Sequence, residues 1–161
     1  MPAAGWLCSR ESMATLVLMD KIFSQIEEWQ RGAWGRVLDA GTGRHSLGWI
    51  SGLPTSGWTA VTGGIYRAKA LESEFQGKMR SQDRVICGNW IDRTLLLGER
   101  FDVVVADYLL GAIDGHSPYF QDQLFTRLRP LVDDTMYVVG LEPFPGAPAS
   151  PAGRLVNEIA R

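Results

Sequence analysis

The sequence has few of the residues that build disulfide or metal frameworks. Its 161 residues include two cysteines, Cys8 and Cys87, and two histidines, His45 and His116. No metal-ligand spacing surrounds either histidine, and two cysteines are too few for a disulfide scaffold. Cys87 lies in an apolar stretch, so we predict that it is buried as a small hydrophobic residue. We therefore expect no metal site and no disulfide-stapled fold.

The sequence also lacks an excess of charge and a long hydrophobic run. The formal net charge is -2 at pH 7, which gives no basic field for nucleic acid or an anionic membrane. The apolar stretch "ATLVLM" is far too short to span a bilayer, and no basic region followed by a long apolar segment opens the chain. These absences predict a cytoplasmic protein that binds neither nucleic acid nor membrane.

Helical and strand-like patterns alternate along the chain. A chain of this length with 45% hydrophobic residues predicts a single domain with a substantial core. Apolar residues spaced three and four apart predict a helix over residues 9–31, and five strand-like stretches separated by helical ones follow. This alternation predicts a doubly wound, mostly parallel α/β sheet. We expect a leading helix in residues 1–32, a core in 33–145, and a linker with a short helix in 146–161.

The stretch "RVLDAGTGRHSLGW", residues 36–49, places an acid and two glycines at the end of the first apolar strand. Asp39 ends that strand, and Gly41 and Gly43 follow it closely. A tight turn between a strand and a helix would explain the glycines, and so would a loop whose backbone approaches a ligand. In doubly wound sheets, ligands bind outside the carboxyl ends of the strands. The residues at the strand ends are therefore the candidates for a site.

Three motifs in this order carry a resemblance to a known family. The stretches "VLDAGTGR", "RVICGNWID" and "FDVVVADYLLG" are similar to motifs of the class I S-adenosylmethionine-dependent methyltransferases. The resemblance covers roughly residues 33–145 and implies a Rossmann-like methyltransferase fold. It also implies S-adenosylmethionine as the cofactor and a small molecule or a protein side chain as the methyl acceptor. These motifs do not identify the methyl acceptor.

The resemblance implies a role for residues at the ends of four strands. The implied cofactor-binding residues are Asp39, Gly41, Thr42, Gly43, Thr62, Asn89, Trp90, Asp107 and Tyr108. Asp39 would accept the ammonium group of the cofactor, directly or through water, while the two glycines would let the loop approach it. Asn89 would hydrogen-bond the adenine amino group, and Trp90 would stack on the ring or cover its edge, unless it is a plain core residue. Asp107 would face the amino group or the transferring methyl, or else cap the next helix.

The sequence departs from the family at His45, where the family's loop often has a third glycine, and in two more serious places. The ribose diol is normally held by an acid after the second strand, but here Thr62 offers one hydroxyl and no acid precedes Glu72. A hydroxyl is a weaker partner than a carboxylate that accepts two hydrogen bonds. Methyltransferases of this type also carry a sixth and a seventh strand, for which residues 146–161 have no pattern. We therefore expect a truncated sheet, as in an isoform, a fragment or a protein that completes its sheet by pairing the exposed edge of its fifth strand with a partner chain; the alternative is a minimal variant of the fold whose edge is covered.

The residues leave three functions open. Asp107, Tyr108 and His116 are the candidates for proton transfer near the expected site, but none has a recognisable partner, so no catalytic base is assigned. The first function is a methyltransferase, whose activity the missing ribose acid would reduce. The second is a non-catalytic, methyltransferase-like binding or regulatory module. The third, an NAD-dependent oxidoreductase, is least favoured because Ser46 stands where its Gly-x-Gly-x-x-Gly motif needs a third glycine.

Overall fold

Five parallel strands form one open sheet in the computed structural model, which describes residues 21–140. The strands are β1 (Arg36–Asp39), β2 (Gly57–Thr62), β3 (Arg84–Cys87), β4 (Phe101–Asp107) and β5 (Val132–Val139). Their order across the sheet is β3-β2-β1-β4-β5, and each neighbouring pair is parallel. The sheet is the doubly wound α/β architecture that the alternating patterns predict.

Helices cover both faces of this sheet. They are α1 (residues 21–29 of the leading helix), α2 (Arg44–Ile50), α3 (Ile65–Phe75), α4 (Leu109–Ala112) and α5 (Gln121–Leu128). Side chains of α1, α2 and α3 pack with Val37 and Val105 in one layer of the core. Side chains of α4 and α5 pack with Leu38 and Val104 in the other layer. Because successive strand residues point to opposite faces, the buried apolar runs of β1 and β4 contribute side chains to both layers of the core.

The two edge strands are less buried than the central ones. Every residue of β2 is buried, whereas no residue of β3 or β5 is. Cys87, the last residue of β3, is exposed, so the prediction that it is buried is wrong. An apolar stretch predicts burial only if both faces of its strand are covered, and β3 pairs with β2 alone.

An ion-paired cluster ties β2 to β3 at the amino-terminal edge of the sheet. The Asp83 carboxylate accepts hydrogen bonds from the Trp58 backbone N–H at 3.0 Å and from the Arg80 backbone N–H and Nε, both at 2.8 Å. The Arg80 guanidinium also donates to the Thr55 carbonyl at 2.6 Å and to its hydroxyl at 2.7 Å. Only 1% of the Asp83 side chain is exposed, so this carboxylate is buried with its charge fully partnered.

Several of the predicted segments lie partly or wholly outside residues 21–140. Within that range, β5 begins at Val132, where a short 3-10 turn (Arg129–Leu131) leads directly into it. The amino-terminal part of the predicted leading helix, the stretch at 141–145 and the predicted linker and short helix fall outside the described residues. Among residues 21–140, no strand pairs with the free edge of β5. In the same range, every helix is too short or too polar to cross a membrane.

Candidate functional site

The loops after β1 and β4 meet where the strand order reverses. β1 is bordered by β2 on one side and β4 on the other, so the connections on its two sides lead to helices on opposite faces. In such sheets the crevice at this reversal is the usual ligand site. Asp39 and Asp107 end these two central strands, while Thr62 and Asn89 follow on the β2 and β3 side.

The loop after β1 is held by backbone hydrogen bonds to both neighbouring strands. The Ala40 N–H donates to the Val105 carbonyl, and the Thr42 N–H donates to the Val61 carbonyl, each at 2.8 Å. The loop then enters α2 at Gly43, whose N–H donates to the Ser46 hydroxyl oxygen at 3.0 Å. Because these bonds fix the backbone of the loop, the open space beside the loop does not depend on a bound ligand.

The two glycines of this loop have different surroundings. A Cβ on Gly41 would lie 2.9 Å from Leu109 Cδ1, so the absence of a side chain there serves internal packing. A Cβ on Gly43 would meet nothing within 4 Å, and its φ of -127° is one that any residue adopts. Neither packing nor backbone conformation requires a glycine at position 43. Open space beside that backbone is what a bound ligand would need.

Asp39 is a completely buried carboxyl group without a hydrogen-bond partner. Its exposed fraction is 0%, and neither carboxylate oxygen accepts a hydrogen bond within residues 21–140. The pKa of Asp39 is raised from 3.8 to about 6, chiefly by burial; the nearby Thr42 and Ser46 hydroxyls lower it, and the charge of Asp107 makes a smaller contribution in the same direction as burial. An unpartnered buried carboxyl is costly, and such groups concentrate at functional sites.

Asp107 ends β4 on the same face of the sheet as Asp39. Asp39 pairs with Val105, two residues before Asp107, so the two carboxyl groups are diagonal neighbours on adjacent strands. One oxygen of Asp107 is buried without a partner in the described chain. The pKa of Asp107 is raised above its usual value, because the effect of burial exceeds the opposite effect of the neighbouring His45. Asp107 does not cap α4, whose first turn follows Tyr108 and receives no side-chain cap.

Five of the residues that the resemblance assigns to the cofactor line one small cavity beside this loop. They are Gly41, Thr42, Thr62, Asn89 and Trp90. Leu109, Ile113 and His116 line it from the segment after β4, and Arg67 lines it from α3. The cavity has a volume of about 80 Å³. No carboxylate belongs to its described lining, in keeping with the missing ribose acid.

The remaining assigned residues lie outside that lining. Asp39 and Asp107 end their strands without lining the cavity, Gly43 borders open space, and Tyr108 has a left-handed backbone with φ of 48°. Trp90 is 3% exposed and donates its indole N–H to the Ala40 carbonyl at 2.6 Å. Trp90 is therefore a core residue that also lines the cavity, and its contact with a cofactor stays a prediction.

Two charged or titratable side chains of the lining, Arg67 and His116, are not among the predicted cofactor-binding residues. Arg67 lies on a polar helix face that carries no motif, and the sequence offers no signal for it. His116 was considered only for proton transfer, yet its ring lies over Gly63, where a built Cβ would be 2.7 Å from the ring Cγ. Within residues 21–140, no group of three His, Cys, Asp or Glu side chains could hold a metal ion.

Comparisons with known proteins identify this fold. No protein-family model and no curated protein matches the sequence. Among solved structures, YcgJ from Bacillus subtilis matches 88% of this chain and 58% of its own with a TM-score of 0.60 at 19% identity. Coclaurine N-methyltransferase bound to N-methylheliamine and S-adenosylhomocysteine matches 84% of this chain and 38% of its own, with a TM-score of 0.55 at 16% identity.

A third matched structure is named for a different reaction. The [4+2]-cyclase SpnF matches 70% of this chain and 40% of its own with a TM-score of 0.53 at 14% identity. This chain thus spans between 38% and 58% of the three structures. At these identities the matches show the fold, and the fold is the Rossmann-like fold of S-adenosylmethionine-dependent methyltransferases. The fold predicted from the three motifs is confirmed.

Proposed function

We propose that this chain binds S-adenosylmethionine and acts as a methyltransferase on a small molecule or a protein side chain. The observation that carries this proposal is Asp39, a fully buried carboxyl group that has no hydrogen-bond partner within residues 21–140 and lies beside a glycine loop at the strand reversal. The ammonium group of the cofactor would neutralise that carboxylate, directly or through a water molecule. The matched structure that contains S-adenosylhomocysteine supports the choice of ligand.

The adenosine end of the cofactor would occupy the cavity on the β2 and β3 side. Asn89 would hydrogen-bond the adenine amino group, Trp90 would cover the edge of the ring, and Thr62 would offer its hydroxyl to the ribose. Thr62 cannot replace two charge-assisted bonds, which contribute on the order of 1.5–3 kcal/mol each. We therefore expect weaker binding than a ribose carboxylate would give.

Methyl transfer requires alignment more than it requires proton transfer. The cofactor would supply an electrophilic methyl group, and the chain would hold it beside the acceptor. Asp107 ends β4 and Tyr108 follows it, at the expected position of the acceptor. Within residues 21–140 the Tyr108 hydroxyl and the His116 ring form no hydrogen bond, so neither has the partner that a general base needs. No catalytic base is assigned.

A non-catalytic methyltransferase-like module is the second candidate. The small cavity favours it, and so does the edge of β5, with which no strand within residues 21–140 pairs, since a module of this kind would pair that edge with a strand of a partner chain. The match to a cyclase also shows that this fold alone does not select methyl transfer. A cytoplasmic location stays a prediction from the composition.

An NAD-dependent oxidoreductase fits the loop least well. Ser46 replaces the third glycine of the dinucleotide motif, and its hydroxyl oxygen accepts the hydrogen bond of the Gly43 N–H at 3.0 Å. In a dinucleotide site the loop N–H groups would instead face the pyrophosphate. The Gly43 N–H therefore already donates a hydrogen bond within the chain.

Thermal unfolding with three ligands tests the cofactor proposal. The purified chain is melted alone and with saturating S-adenosylmethionine, S-adenosylhomocysteine or NAD. A ligand at 100 times its Kd adds about 2.7 kcal/mol, which raises the Tm of a domain of this size by several degrees. We expect a rise with the first two ligands and none with NAD. A cooperative melt that no ligand shifts would contradict the proposal and favour the non-catalytic module, while methyl transfer itself needs a substrate screen.

Gly43→Ala separates ligand binding from folding. Because nothing lies within 4 Å of the added methyl group, the Tm of the free protein should stay within about a degree of the wild type. The methyl group would occupy space reserved for the cofactor, so the Kd for S-adenosylhomocysteine should rise at least tenfold in calorimetry. Gly77→Ala is the matched control, because a Cβ there also meets nothing and Gly77 is remote from the site. Equal affinity of both variants would mean that the loop does not hold the ligand.

A further inference from the structure

Three glycines at the ends of β1, β2 and β3 are covered by side chains of the chain itself. A Cβ on Gly41 would be 2.9 Å from Leu109, one on Gly63 would be 2.7 Å from the His116 ring, and one on Gly88 would be 2.6 Å from Leu95. Backbone of this kind is where a ligand makes its closest approach. The cavity that remains is about 80 Å³, whereas small-molecule sites measure roughly 300 Å³ or more.

The Asn89 side chain, which is expected to contact adenine, is already hydrogen-bonded to other residues of the chain. Asn89 donates its amide N–H to the His116 carbonyl at 3.0 Å, and its amide oxygen accepts the Ser117 hydroxyl at 2.5 Å. His116 and Ser117 are held in turn by backbone hydrogen bonds to the Ile113 carbonyl, at 2.9 and 2.7 Å. The donor and the acceptor that would contact an adenine edge are thus both bound to the segment after β4.

This covering segment, residues 108–120, has unusual backbone close to both ends. Tyr108 has φ of 48° and Tyr119 has φ of 65°, and neither is a glycine. Residues other than glycine adopt such angles at an energetic cost, and they occur where a segment changes direction or moves. Tyr119 is 90% exposed, so no packing of its side chain holds that angle. Between the two lie only α4 and a 3-10 turn of three residues (Ile113–Gly115).

We propose that the covering segment is a gate on the adenosine end of the site, latched in its closed position by the contacts of His116 and Ser117 with Asn89 and Gly63. This inference rests on the proposed function. Ligand entry requires that the His116 ring leave Gly63 and that the Asn89 amide exchange its internal partners for the ligand. The apparent Kd is then the intrinsic Kd divided by the open fraction, so weakening the latch tightens binding.

Two substitutions that remove the latch but leave Asn89 intact test this directly. Ser117→Ala deletes the hydroxyl that bonds Asn89, and His116→Ala deletes the ring that covers Gly63. We expect each variant to bind S-adenosylhomocysteine roughly tenfold more tightly than the wild type in calorimetry, because the open fraction rises. Ser81→Ala is the matched control, since Ser81 loses only an exposed hydrogen bond to Gln82. Unchanged or weaker binding by both latch variants would overturn the gate.

Hydrogen exchange of the ligand-free protein keeps the gate testable if the ligand proposal fails. In Ser117→Ala, amides of residues 113–120 should exchange at least several-fold faster, while those of β1 and β4 stay unchanged. Faster exchange confined to this segment, with no binding of S-adenosylhomocysteine by any variant, would support the gate and contradict the proposed cofactor. Exchange of this segment at the wild-type rate would overturn the gate, whatever the ligand does.

Discussion

Asp39→Asn should stabilise the free protein at neutral pH and abolish its response to S-adenosylhomocysteine. The carboxyl is fully buried and has no hydrogen-bond partner in the described part of the chain, and its pKa is raised from 3.8 to about 6, chiefly by burial. That difference corresponds to a penalty of about 3 kcal/mol in the free energy of unfolding once the group is ionised. A neutral amide avoids this penalty but offers no charge to the ammonium group of the proposed cofactor.

The pH dependence of this effect has a definite sign. The unfolded chain ionises Asp39 near pH 3.8 and the folded chain near pH 6, so the folded state holds the extra proton between these values. The penalty is therefore absent below the lower pKa, grows as pH rises, and is complete above pH 6. Urea unfolding of both proteins at pH 4, 5, 6 and 8 should show a gain that grows over this range and then stays constant.

A control and a ligand titration make the Asp39 result decisive. Asp122→Asn, at an exposed residue of α5, should change neither the unfolding midpoint nor ligand binding. Loss of stability in Asp39→Asn at pH 8 would show that the carboxylate has a structural partner. A gain in stability with full ligand binding would show that Asp39 does not receive the ammonium group.

Asp83→Ala should have the opposite effect and destabilise the protein by about 3 kcal/mol. The Asp83 carboxylate is the partner of the Trp58 N–H and of the Arg80 backbone and guanidinium. Its removal leaves a buried N–H and a half-exposed guanidinium without these bonds. Ligand binding by the folded fraction should not change, because this cluster lies at the other end of the strands.

Urea unfolding at pH 7 measures the loss, and its pH dependence identifies the cause. Hydrogen bonds from Arg80 and Trp58 outweigh burial and hold the pKa of Asp83 below its usual range. Its contribution is therefore present above about pH 4 and is lost as pH falls through the lowered pKa. The difference between Asp83→Ala and the wild type should shrink in acid. Asp122→Ala serves as the control, and a difference that does not change with pH would point to a packing defect.

The sequence predicts features whose causes are local. Alternating periodicities are sufficient for the strands and the parallel sheet, because each element is defined by neighbours a few residues away. The glycine loop is equally local, since Asp39, Gly41 and Gly43 lie within five positions. Because parallel strands end at the same edge of a sheet, the residues at the ends of the other strands, Thr62 and Asn89 among them, could be assigned to that edge as well.

Features that depend on strand order or on long-range contacts could not be predicted. Cys87 is exposed because β3 is an edge strand, which its own apolar stretch does not encode. The Asp83 bond to the Trp58 N–H joins residues 25 apart, and the Asn89 bond to the His116 carbonyl joins residues 27 apart. The left-handed backbone of Tyr108 also has no sequence signal, because glycine is the residue expected there.

The loop after β1 also has a consequence for folding. Its Ala40 N–H bonds to β4 and its Thr42 N–H bonds to β2, so the loop is complete only after strands distant in the chain have joined β1 on both sides. Pairing of distant segments is a slow step in folding, because the intervening chain must first be closed into a loop. An intermediate that has joined β1 to β2 alone would contain the glycine motif without its final shape. Recovery of ligand binding during refolding should therefore lag behind the formation of helices.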